Sequence, residues 1–300
     1  MKPNFCLSSA FAAALVFGDG NAAAQVHEPA MLQAEVSGKL NDYNLSTSAD
    51  GRTMTFARSG ADFADSRILI RERRGRGWTK ARPVEFSDAR YRDSDPWLTP
   101  DGRTMYFVSD RPTPARRDKR DLDIWRSAKR GGRWREPEHL GELVNGKGEE
   151  LGPEVHGGKL YFATARRSGL GGLDIYVAAQ DGSGFTRPEL LPAPVNSPAS
   201  ESDFTLSGDG RTALFWRQVG DRGLLHVTGR AADGSWSRPE PLPDQVNIGR
   251  FNFTPAFSRC GTRITFASTR RRAGQAEGMA DIYEVSLPAS VARDDLAQCR

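Results

Sequence analysis

Carboxylates recur at one place in this chain. Asp42, the pair Asp93 and Asp95, the pair Glu149 and Glu150, and the pair Glu201 and Asp203 each stand at the start of a short apolar stretch, and Asn252 holds that place in a fifth copy. Acids converging from several elements on one opening can bind a cation such as calcium, recognise a basic peptide, or act as acid and base in glycoside hydrolysis. Trp97 follows Asp95 by two residues, a spacing that puts both on one face of a strand, so a small ligand stacking there would meet Trp97. Asp42, Asp95, Trp97, Glu150, Asp203 and Asn252 are therefore the candidate ligand- or partner-binding residues.

Other chemistry finds little footing. His27, His139, His156 and His226 fall at unrelated positions with no paired spacing, which argues against a transition-metal centre. No Asp-rich loop ending in Glu supports calcium, and no nucleophile elbow, phosphate loop or dinucleotide fingerprint is present. No cofactor is expected beyond a calcium ion held by the converging acids.

The elements that must position these acids form a repeat. Residues 45–56, 98–107, 155–162, 206–215 and 257–266 each read as an apolar strand, a glycine turn and a second strand ending in Phe. The turn glycines Gly51, Gly102, Gly158, Gly210 and Gly261 are 51, 56, 52 and 51 positions apart, a period that signals a β-propeller. A third strand follows, clearest in Asp123-Ile124-Trp125, Asp174-Ile175-Tyr176 and Asp281-Ile282-Tyr283, and then an aromatic residue and a proline at 78–83, 134–137, 185–188 and 236–239. Alternating β-branched and aromatic residues between Gly, Asp and Pro clusters predict four antiparallel strands per unit.

The fifth copy lacks its fourth strand, while Glu28-Pro29-Ala30-Met31-Leu32 matches Glu136-Pro137-Glu138-His139-Leu140 in type and spacing. The expectation is an all-β, five-bladed β-propeller of four-stranded antiparallel blades, its ring closed by an N-terminal strand that completes the last blade and leaves no free edge. Six blades are the alternative. Features shared by every unit are assigned to building the ring. The Asp of the Asp-Ile-aromatic strands is expected to accept hydrogen bonds from turn N–H groups, and Trp78, Trp134, Phe185 and Trp236 are expected to pack between blades.

The chain divides into a signal peptide at 1–24, a propeller at 25–288 and a tail at 289–300. Lys2, the apolar run from Phe5 to Phe17 and Ala22-Ala23-Ala24 before Gln25 have the order of a secretory signal, which places the protein in the periplasm or outside the cell. Export leaves Cys260 and Cys299 in an oxidising compartment, where they either pair and tie the tail to the last blade or remain two free thiols. A charged fraction of 27% and the lack of a later apolar stretch exclude a transmembrane span. A net charge of only +4 with interspersed acids gives no nucleic-acid stripe. The basic clusters at 71–80, 111–120, 129–135 and 270–272 are expected to form a solvated rim, the sharper alternative being contact with anionic envelope material.

Residues 99–111, reading Thr-Pro-Asp-Gly-Arg-Thr-Met-Tyr-Phe-Val-Ser-Asp-Arg, followed by Asp121-Leu122-Asp123-Ile124-Trp125, resemble the WD-like propeller repeat of the TolB family and of propellers fused to OmpA-like domains. Gly169 to Tyr176 is similar to the glycine loop of the same repeat, and the likeness covers about residues 28–287. TolB carries an additional α/β domain and typically six blades, so its envelope role is not carried over as such. The expectation is an exported, monomeric, non-catalytic platform that binds a periplasmic or envelope protein, or a small ligand, at an acidic channel mouth. The alternative is a glycoside hydrolase. Five-bladed propellers include glycosidases with three channel acids, and Asp95-Pro96 and Glu150-Leu151-Gly152-Pro153 superficially resemble two of their sites, with Asp42 as base. Because every complete unit carries such an acid, the repeat favours a structural use for it over catalysis.

Overall fold

Alternation of apolar and polar residues between turns folds this chain into short antiparallel sheets. The computed structural model describes residues 29–258 and 260–287. The expected signal peptide at 1–24 and tail at 289–300 lie outside the described residues, as does Cys299.

Five blades surround one axis. Blade one runs from its inner strand Asn41–Thr47 through Thr53–Ser59 to Arg67–Arg74. Blade two runs through Asp93–Leu98, Thr104–Ser109 and Asp123–Arg130, and blade three through Glu150–His156, Lys159–Thr164 and Asp174–Asp181. Blade four comprises Glu201–Leu206, Thr212–Val219, Arg222–Gly229 and Glu240–Pro241, and blade five Asn252–Phe257, Arg263–Ser268 and Asp281–Ser286. In blades one to three the fourth strand is split in two. In blade one, for example, Gly77–Trp78 and Arg82–Pro83 both pair with Arg67–Arg74, because the intervening chain breaks the ladder before the proline.

The ring closes as the repeat predicts. Met31 and Leu32 pair with Glu284 and Tyr283, so the N-terminal segment is the outer strand of blade five and covers an edge that would otherwise be open to pairing. The turns between first and second strands follow from Asp-Gly chemistry. Asp50 Oδ1 accepts from the Ser48 hydroxyl at 2.6 Å and the Arg52 N–H at 2.9 Å, and Asp101 does the same with Thr99 and Arg103. The glycine that follows, Gly51 or Gly102, has φ of +64° or +66°, which only glycine takes without cost.

Inside each blade an arginine is clamped. Arg58, Arg111, Arg166 and Arg217 meet the buried acids Asp42, Asp93, Glu150 and Glu201 at 2.6, 2.7, 3.4 and 2.8 Å. Each guanidinium also donates to a carbonyl of the preceding connection, those of Val36, Phe86, Val144 and Val195. Each lies over the Phe of the repeat, at 5.5, 5.7, 5.4 and 5.2 Å from the ring centres of Phe56, Phe107, Phe162 and Phe215. Blade five keeps the device with a neutral partner. Arg270 donates to Ser268 at 3.1 Å and Ser268 to Asn252 at 2.7 Å, while Arg270 caps the Val246 carbonyl and lies 5.2 Å from the Phe266 centre.

Two expectations about charged residues are corrected by this packing. Arg111 and Lys119 are buried, the latter between Asp121 and Asp123, so part of the basic cluster at 111–120 is interior and not a solvated rim. Of the recurring third-strand acids only Asp174 accepts from turn N–H groups, those of Leu170 and Gly171; Asp123 pairs with Arg116 and His139, and Asp281 with Arg272. Cys260 is half-buried and disulfide-bonded.

Removing one member of a clamp strands a buried charge, which costs about 3–5 kcal/mol. Arg217→Met is expected to lower the urea-unfolding free energy by about 3 kcal/mol, and Glu201→Gln added to it to recover part of the loss. A loss of under about 1 kcal/mol would show that Glu201 is already neutral in the fold.

Candidate functional site

Each inner strand slips register once against its neighbour, between Tyr43 and Ser46, Ser94 and Trp97, Leu151 and Glu154, Ser202 and Thr205, and Phe253 and Ala256. The residue inside each slip has positive φ: Asn44 +50°, Asp95 +50°, Gly152 +56°, Asp203 +54° and Thr254 +49°. Gly, Asn and Asp tolerate this conformation, and Thr254 holds it against its β-branched preference. A bulge bends the strand and re-aims its side chains. Here it ends the simple alternation and turns a new set of residues to the axis.

These residues stitch the seams between blades. Ser46 Oγ accepts from the Leu98 N–H at 2.8 Å, Asp95 Oδ2 from Gly152 at 2.9 Å, and Glu154 Oε1 from Leu206 at 3.0 Å. Asp203 Oδ2 accepts from Thr254 at 3.1 Å, and Thr254 Oγ1 from Asn44 at 3.2 Å. Each of the five seams thus carries one bond from a side chain of one blade to the backbone of the next. Asp95 and Asp203 flank Gly152, whose missing Cβ would lie 3.1 Å from Asp203 Oδ1. Any larger residue would press on the Asp203 carboxyl and backbone.

A cavity of about 610 Å³ opens on the axis beside this ring, lined by Asn44, Asp95, Trp97, Glu154, Asp203 and Thr254 among others. Tyr43 and Phe253, each one residue before a bulge, meet Phe63 at 5.3 and 6.3 Å between ring centres, an aromatic cluster between blades one and five. Burial pushes the Glu154 carboxyl up to about 7, against hydrogen bonds from Leu206, Thr205 and Trp97. Burial, reinforced by the charge of Asp95, pushes Asp203 to about 7 as well. Asp95 is raised by burial too, opposed by the Gly152 N–H and the Ser94 hydroxyl. Asn44 Oδ1 is buried with no hydrogen-bond partner.

The residues expected at an acidic mouth separate into two groups. Asp95, Trp97 and Asp203 line the cavity. Asp42 and Glu150 are fully buried in their arginine clamps, and Asn252 is buried against Ser268, because they precede the bulge and point into the blade. The bulge likewise means that Asp95 and Trp97 do not share a face by simple alternation. The Trp97 ring leans on Tyr106 at 6.1 Å and its indole reaches Glu154. Asn44, Glu154 and Thr254 were not expected in the site. Glu154 had a signal, since it stands where the other units carry Ser46, Trp97, Thr205 and Ala256. Among the described residues no group of three or more His, Cys, Asp or Glu side chains is placed to hold a metal ion, so the calcium expectation has no ligand set there.

No protein-family profile matches the chain, and no curated protein matches it in sequence. Solved structures share its fold at low identity. A thermostable family-43 glycoside hydrolase superposes with a TM-score of 0.59 at 8% identity, over 88% of this chain and 98% of that one. A putative TolB from Agrobacterium tumefaciens gives 0.50 at 14%, over 83% and 91%. TolB from Acinetobacter baumannii gives 0.50 at 13% over 86% of this chain, which spans only 57% of that protein. The chain is a five-bladed propeller that shares its fold, at low identity, with TolB and with a family-43 glycoside hydrolase alike.

A carboxyl whose pKa is raised by folding is stabilised in its protonated form. Its contribution is present below its unfolded value, near 4, and is lost as pH rises through the folded value of about 7 for Glu154 and Asp203. Stability is therefore expected to fall between pH 4 and 7 on account of these two groups, and Glu154→Gln to flatten that part of the urea-midpoint profile. An unchanged slope in the variant would show that Glu154 titrates normally in the fold.

Proposed function

We propose that the protein is a glycoside-hydrolase-type enzyme whose reaction takes place in the axial cavity. The observation that carries this reading is the convergence of Asp95, Glu154 and Asp203 from three successive blades on one open cavity, with burial holding carboxyls near neutrality. Acid and base catalysis at neutral pH needs carboxyls of unequal protonation in one site. Asp95, to which Gly152 N–H and Ser94 Oγ donate, is assigned as base or nucleophile, those two hydrogen bonds favouring its ionised form against burial. Glu154, protonated by burial, is the acid that protonates the leaving oxygen. Asp203, raised to about 7 by burial and the charge of Asp95, is assigned as a hydrogen-bond donor to the sugar when protonated. The assignment moves the acid and base away from Asp42 and Glu150, which their arginines hold.

The signal-like N-terminus supports an exported protein, periplasmic or secreted. No helix among the described residues is long and apolar enough to cross a membrane. A second reading, a non-catalytic platform for a small ligand or envelope protein, draws on the seam bonds, since each acid spends one oxygen on the neighbouring blade. The fold likeness to glycosidases and TolB favours neither.

The two readings part on turnover. The mature protein is expected to hydrolyse one or more members of a panel of 4-nitrophenyl glycosides, with kcat/KM lowered about 10²–10⁴-fold in Glu154→Gln and in Asp95→Asn, and little changed in Glu150→Gln if that variant folds. Absence of hydrolysis across the panel, or full activity in Glu154→Gln, would leave the platform reading.

A further inference from the structure

The axial cavity is lopsided. Blades two, three and four line it only with inner strands and their turns, whereas between blades one and five it runs outward past Met54 and Thr265 on second strands, and Arg73 and Glu284 on third strands, to Trp78. The character of the wall changes along that path. The axial part presents Asn44, Asp95, Glu154 and Asp203, and the branch presents Val36, Leu45, Met54, Phe257 and Trp78.

Trp78 marks the difference. Its counterparts Trp134, Phe185 and Trp236 are 4%, 7% and 8% exposed and fill the spaces between blades, whereas Trp78, though it packs against the cluster of Val36, Met54 and Ile282, is only half-buried at the end of the branch with Arg73 4.7 Å from its ring centre. The seam it stands in is the one closed by the N-terminal strand. Charges at the rim are largely engaged, Arg71 with Glu35 at 3.0 Å and Arg263 with Glu284 at 2.7 Å. An apolar compartment continuous with a polar one, ended by an aromatic ring, suits a ligand of the same two-part character.

We infer that the seam between blades one and five is a second binding compartment, which takes the apolar, ring-sized aglycone of a glycoside whose sugar lies on the axis. This rests on the reading of the axial cavity as a sugar site and sharpens it: the substrate class is aryl or comparably apolar glycosides, and not unsubstituted polysaccharide. Burying one aromatic ring is expected to strengthen binding at least about tenfold.

Titration calorimetry with 4-nitrophenyl glycosides, the corresponding methyl glycosides and 4-nitrophenol alone, on the mature chain, tests it. The aryl glycoside is expected to bind at least about tenfold tighter than its methyl counterpart. Trp78→Ala should remove the difference, and so should Ala256→Phe, which fills the branch without deleting a packed side chain. Equal affinities for aryl and methyl glycosides, or a preference surviving both variants, would overturn the inference. So would failure of every aryl probe to bind, the result expected if the chain's own terminal residues occupy the branch. Binding of 4-nitrophenol that is lost in both variants, with no glycoside hydrolysed, would uphold the compartment and reject the hydrolase.

Discussion

A guanidinium held between a buried polar group, a backbone carbonyl and a phenyl ring recurs in every blade, the polar group being an acid in blades one to four and Ser268 backed by Asn252 in blade five, and the rest of the molecule is arranged around it. Taking a charge out of water is costly unless its partners are close and its donors satisfied. Here Asp93 and Arg111 meet at 2.7 Å while the same guanidinium caps Phe86 and covers Phe107. The clamp ties an inner strand to its second strand and to the connection leading in from the blade before. It also withdraws the acids at the strand starts from any ligand.

With the start of each inner strand locked, the bulge that follows sets what the axis contains. The positive-φ residue and its neighbours reach across the seam to the next blade's backbone, and in three of the five seams the reaching group is a carboxyl. The same residues close the ring and furnish the cavity. Burial that suits a hydrogen-bonded strut also lifts a carboxyl toward neutrality, so a structural bond and a chemical capacity reside in one side chain. Substitution there is expected to touch stability and function together.

Much of the architecture was legible because a repeat is redundant. Five copies of a glycine turn and a terminal Phe fix blade number, and the missing fourth strand of the last copy, supplied by residues Met31 and Leu32, fixes closure. The site was legible in part. Asp95, Trp97 and Asp203 were recognisable as channel residues, whereas Asp42, Glu150 and Asn252 were grouped with them because they hold similar places ahead of the apolar stretch. The clamp explains the difference, since its acid and arginine lie 16 positions apart in Asp42 and Arg58 but 18 in Asp93 and Arg111, a pairing that periodicity alone does not reveal.

The sequence by itself determined the blades, their order and the way the ring shuts, since those depend on local turn chemistry and on alternation within strands. Only the tertiary structure decided which carboxyls face the axis. A bulge at a positive-φ residue breaks the two-residue period on which any reading of faces depends, so Glu154 enters the cavity while Glu150, four residues earlier on the same strand, leaves it. Tertiary packing alone also decided that, among the described residues, the cavity extends into the seam between blades one and five, because the fit of one blade against the next is set by side chains far apart in the chain.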